Sequence, residues 1–200
     1  MTGKASASGA SVNGLRTLEL GSALLWLREE LQTRLGPGEH SISMTGARTR
    51  REQEILGMSQ ILLVMFPFAI ELALKSLWDC FHQAGTYDHR HDLDVLFQTI
   101  DRDAADVGAA RLAQEQARDL WQEFQSEGKI DYQGTLDEFL ATHARDFVET
   151  RYYELKPAEF VQLNDFAVCF FCVVFLLAGR DPASFSNLLG RTVPGGRPKS

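Results

Sequence analysis

Residues 50–83, RREQEILGMSQILLVMFPFAIELALKSLWDCFHQ, decide the fold of this chain. Apolar residues recur there at spacings of three and four, the period of a helix, with no strand-like alternation. Ile61 to Phe66 is uninterrupted, and Pro67 then removes a backbone hydrogen bond and crowds the preceding turn, so the segment reads as one kinked helix ended by Gly85. A second apolar run, FAVCFFCVVFLLA, spans thirteen residues from Phe166 to Ala178. Crossing a bilayer takes about 20 residues, and extending this run upstream meets Asp165, Asn164 and Gln162. Gln60, Glu71 and Lys75 break the first run in the same way. The expectation is an all-α helical bundle with these two apolar helices at its centre and no membrane association.

Amphipathic segments surround them. Leu18, Leu20, Ala23, Leu24, Trp26, Leu27 and Leu31 mark a first helix that Gly36, Pro37 and Gly38 stop near Leu35, and Glu39 to Thr49 reads as a loop. Residues 92–101 form a short helix with Leu93, Leu96, Phe97 and Ile100 inward. Residues 104–126 form a more polar helix carrying Leu112, Leu120, Trp121 and Phe124, which reads as a surface helix or an insertion. Thr135 with Glu138 makes a capping box that opens a helix to about Lys156. Pro157 starts the final helix, which Gly179 and Pro182 close near Ala178. Residues 1–14 and 181–200, rich in Gly, Ser, Ala and Pro, read as disordered tails around a single domain over 15–180.

Composition narrows the function classes. Twenty Lys+Arg against 27 Asp+Glu give a net charge of −7, and the sequence pI is about 5.2. Broad nucleic-acid affinity needs a basic excess that is missing, so any such ligand must meet a local patch. Three cysteines are too few for a disulfide framework, and the first residues lack the apolar core of a signal peptide, which points to a reducing, cytoplasmic setting. Cys169 and Cys172 have CxxC spacing but sit inside the apolar run, where they read as small core residues. No Walker loop, GxGxxG, GxSxG or HExxH is present.

Three groups of residues carry candidate chemistry. Glu71, Lys75, Asp79 and His82 form a polar stripe on the otherwise apolar helix, with Glu71 and Lys75 in the favourable order for an ion pair. Tyr87 to Leu93, YDHRHDL, packs His89, His91, Asp88 and Asp92 into a loop and helix start, where Asp88 or Asp92 suits an N-cap. His143, Phe147 and Arg151 recur every four residues, and Arg151 beside Tyr152 and Tyr153 suits a phosphate clamp or a stacked base. The pair His91-Asp92 also resembles the core of the HD phosphohydrolases, whose pattern is H…HD…D. Asp146 or Asp165 offers the downstream Asp, whereas His82 and His89 lie too close, and His40 in too distant a loop, for the first His.

Taken together, AIELALKSLWDCFHQAG, HDLDVLFQTI and DFVETRYYEL resemble the HEPN superfamily, small helical bundles of prokaryotic toxin and defence systems and of RNA processing. The resemblance covers about residues 68–101 and 139–156. It implies a helical bundle, a homodimer formed through helix faces or a partner protein, RNA or a nucleotide as ligand, and no cofactor. The groove it implies is built from Glu71, Lys75, His91, Asp92, Arg151, Tyr152 and His143. Nuclease members carry Arg, four to six residues, then His near the last helix pair. Here His143 precedes Arg145 and Arg151, and the one Arg-x5-His, Arg34 to His40, crosses Gly36-Pro37-Gly38. The resemblance therefore implies binding of a phosphate-bearing ligand before catalysis. Any chemistry would be a variant of metal-independent RNA cleavage, with His91 as acid or base and Arg151 on phosphate charge. Two other readings stand beside it: a non-catalytic interaction module whose polar cluster fixes helix register, and an HD-type metallohydrolase.

Overall fold

The computed structural model describes residues 12–35, 49–82, 91–144 and 163–180. Six α-helices run through them: α1 (Val12–Leu35), α2 (Arg50–Phe81), α3 (Leu93–Gln98), α4 (Val107–Ser126), α5 (Leu136–Thr142) and α6 (Leu163–Arg180). No strand occurs among the described residues. The all-α bundle is as expected, and so is its centre. α2 packs against α1, α3 and α6, while α6 packs against α1, α2 and α4, with α5 bridging α3 and α4. α2 continues as one helix through the buried Pro67. It is the one described helix long and apolar enough to cross a membrane, and half of its most apolar window is buried against the rest of the chain.

The helix ends show which local signals decided. Thr49, expected in a loop, caps α2: its side chain accepts from the Glu52 amide and Glu52 returns to the Thr49 amide. The same reciprocal box forms at Thr135 and Glu138 as expected. α5 nevertheless stops at Thr142 rather than near Lys156. His143 turns the chain, and the Ala144 carbonyl accepts the Leu93 amide at 3.2 Å, capping α3 instead of prolonging α5. α6 runs through Gly179 to Arg180, because the backbone restriction falls on Asp181, the residue before Pro182. α1 begins at Val12, upstream of the expected domain start.

α4 is an amphipathic surface helix, as expected for residues 104–126, but its inner face differs from the expected one. Its inner face is Ala110, Ala113, Ala117 and Trp121, all buried, whereas Leu112 is 55% exposed. Small side chains let α4 sit close to its neighbours, and Gln114 on that face donates to the Phe97 carbonyl at 2.6 Å. Trp26 is likewise solvent-facing at 56%, while Leu24 and Leu31 point inward. α1 comes close to α6 at Gly21, where a Cβ would lie 2.0 Å from the Phe170 ring. Cys169 and Cys172 are core residues, as expected. Burial pushes the Cys172 thiol up to about 12 and the Cys169 thiol well above its ordinary value.

Candidate functional site

Glu71 lies in the buried half of α2, one turn before Lys75, so the i, i+4 geometry delivers the ammonium to the carboxylate. Lys75 Nζ donates to Glu71 Oε1 at 2.6 Å. His91, just ahead of α3, donates from Nδ1 to the same oxygen at 2.9 Å. The three groups differ sharply in exposure: the side chains of Glu71, Lys75 and His91 are 3%, 13% and 53% exposed. Glu71 Oε2 is buried without a hydrogen-bond partner among the described residues. With Nδ1 engaged, the imidazole is fixed in orientation, and its Nε2 makes no hydrogen bond among the described residues. A carboxylate that holds one ring nitrogen while the other is left for solvent or ligand is the arrangement that orients a histidine for proton transfer or anion contact.

The structure thus brings together Glu71, Lys75 and His91. Asp92 occupies the N-cap position of α3, but its side chain makes no capping hydrogen bond. His82 leaves the expected stripe: it stacks on Trp78 with centroids 3.8 Å apart, and its ring nitrogens face the carbonyls of Trp78 (3.1 Å) and Arg102 (2.7 Å). His143 is 5% exposed, with its ring 4.5 Å from that of Phe139 and 4.7 Å from that of Phe166. It is placed as a core histidine. Arg151, Tyr152, Tyr153, Asp88 and His89 lie outside the described residues.

Asp165 performs work that sequence reasoning missed. It is buried at the start of α6 and accepts from the amides of Asp131 (2.9 Å) and Tyr132 (3.2 Å), pinning the α4–α5 connection to α6. Among the described residues no group of three or more His, Cys, Asp or Glu side chains is placed to hold a metal ion, so the convergence that an HD-type centre needs is not formed there. Burial raises the proton affinity of Asp165 above its ordinary value, with the two amides and His143 acting against that rise. The native state therefore holds this proton more tightly than the unfolded chain. Its contribution to stability is greatest below the ordinary aspartate value and is lost as pH rises through the native one. Asp165→Asn, which stays neutral, should gain stability relative to wild type between about pH 3 and about pH 7. Urea titrations of both proteins at the two pH values check this; a gap that stays constant or moves the other way contradicts it.

What the fold and site define is an all-α bundle with an exposed histidine anchored on a buried carboxylate–lysine pair. Comparison of the chain with protein-family models, curated proteins and solved structures finds no match.

Proposed function

We propose that this chain is a HEPN-like helical protein that binds RNA, a nucleotide or another phosphate-bearing ligand at the surface where His91 emerges, in a defence or toxin–antitoxin setting. The observation that carries the reading is the shared Glu71 Oε1, which engages His91 Nδ1 on a half-exposed ring whose Nε2 makes no hydrogen bond among the described residues. Lys75 balances the buried carboxylate, so the cluster adds no negative field of its own to an otherwise acidic protein. Arg151, with its planar two-pronged donor set, is the residue assigned to a phosphate. Binding at low salt to short labelled RNA and to mononucleotides tests the assignment. His91→Ala and Arg151→Ala should each weaken binding about tenfold, the loss typical of one phosphate or base contact. Unchanged affinity in both variants refutes it.

The burial of Glu71 and Lys75 favours a second reading, in which the cluster ties α2 to the start of α3 and the protein is an interaction module. That reading expects wild type to bind none of these ligands.

A further inference from the structure

His82 closes α2 in an arrangement that only a doubly protonated ring satisfies. It is the C-cap residue, and its own amide donates to the Trp78 carbonyl. Its Nδ1 lies 3.1 Å from that same carbonyl oxygen, and its Nε2 lies 2.7 Å from the carbonyl oxygen of Arg102, in the connection between α3 and α4. Carbonyl oxygens only accept. A neutral imidazole carries one N–H and turns a lone pair outward at its other nitrogen, so it donates to one of these oxygens and opposes the other, whereas the imidazolium donates to both. Two further features favour the charged ring. It stacks on the Trp78 indole, centroids 3.8 Å and planes 9° apart, where the aromatic face attracts a cation. It also stands at the C-terminal end of a long helix, where carbonyl groups without helical partners gather negative charge. The charged groups that the two described elements bring to this junction are Asp79 on α2, one turn back, and Asp101, Arg102, Asp103 and Asp106 in the connection. Asp101 is engaged by Arg111 at 2.8 Å and Asp106 caps α4, and the excess of acids agrees in sign with a cationic ring.

We infer that His82 is a proton-operated latch, which ties the α3–α4 connection to the end of α2 when both ring nitrogens carry protons and slackens when one proton leaves. Beside it the Ala105 amide donates to the Phe81 carbonyl at 2.9 Å, so the connection meets α2 at two adjacent points and the second reports on the first. Histidines of two different kinds thus hold the α3 segment. At its start His91 gives one N–H to the Glu71 carboxylate, a bond that a singly protonated ring keeps. Past its end His82 needs two. Raising the pH removes the second proton from His82 and sets a lone pair against one carbonyl, so the far end of the segment loosens while its start stays fastened. In acid both ends are tight. Leu93, Leu96 and Phe97 stay packed throughout, which confines the movement to the connection.

Native-state hydrogen exchange on the full chain, read by NMR, tests the latch, with each amide's rate compared with that of an unfolded chain at the same pH. Between about pH 5.5 and about pH 8.5 the protection of Ala105 should fall about tenfold, the loss expected for one hydrogen bond to a charged group. Protection of Ala117, inside α4, should change far less. The fall at Ala105 should run in step with loss of the second ring proton, followed through the imidazole nitrogen shifts of His82. His82→Phe keeps an aromatic ring on Trp78 and donates nothing, so it should show the low protection at both pH values. His82→Ala, which gives up the stack as well, should behave in the same way. Constant Ala105 protection in the wild type, a fall that comes without loss of the ring proton, an equal fall at Ala117, or a fall that persists in His82→Phe overturns the inference.

Discussion

Trp121→Ala should lower the stability of the folded chain by about 4 kcal/mol, the usual loss for a large aromatic side chain removed from a closed core. Trp121 is completely buried on α4. Its ring lies 5.0 Å from that of Phe139 and 6.4 Å from that of Tyr132, and its Nε1 donates to the Gly134 carbonyl at 3.0 Å. The substitution opens a cavity where α4, α5 and their connection meet. It also removes one of two donors to that carbonyl, the other being Gln125 at 3.3 Å. For a chain of this size the melting temperature should fall by roughly 10 °C. Thermal unfolding followed by circular dichroism gives the answer. A loss under about 1 kcal/mol would mean that α4 is a peripheral attachment after all.

Glu71→Ala comes next, at about 3 kcal/mol, because it strands a largely buried ammonium. The Lys75 side chain is 13% exposed and Glu71 Oε1 holds it at 2.6 Å. Replacing both, as Glu71→Leu with Lys75→Met, should recover most of the loss, since a well-packed apolar pair avoids the desolvation of two charges. His91→Ala should change stability by less than about 1 kcal/mol, because its side chain is half exposed and such ion pairs contribute little. Chemical denaturation of the four proteins, set beside ligand titration, separates the two functional readings. If His91→Ala removes binding without destabilising the fold, His91 is a contact residue. If the apolar double variant is stable and no protein in the series binds ligand, the cluster is a fastening between α2 and α3.

The sequence was most legible where a residue's neighbours are near in the chain. The two central helices follow from long apolar periodicity, the Thr135–Glu138 box from a spacing of three, and the Glu71–Lys75 pair from a spacing of four. The Thr49–Glu52 box carries the same spacing and was readable too, but the polar composition around it spoke for a loop. Contacts between distant segments were hidden. Nothing local says that Ala110, Ala113 and Ala117 face inward while Leu112 does not, because the inner face of α4 is set by the room its neighbours leave. The end of α5 depends on Leu93, far upstream. The partnership of His91 with Glu71 joins residues on different helical segments, and a His-Asp pair in sequence suggested metal chemistry just as readily. Asp165 was read as a candidate metal ligand within the final helix, and the amides it accepts from, those of Asp131 and Tyr132, lie far upstream in the sequence.

The place of α6 in the bundle bears on how the chain is made. α6 is the last described helix, yet it packs on α1, α2 and α4, and Asp165 at its start fastens the α4–α5 connection. During synthesis the ribosome releases α1 to α5 long before α6 emerges, so the apolar flank of α2 that α6 covers must wait in water with nothing against it. Contacts of such long sequence separation also close slowly. A nascent chain halted before Leu163 would therefore present an open hydrophobic surface and hold chaperones, whereas one released beyond Arg180 would shed them.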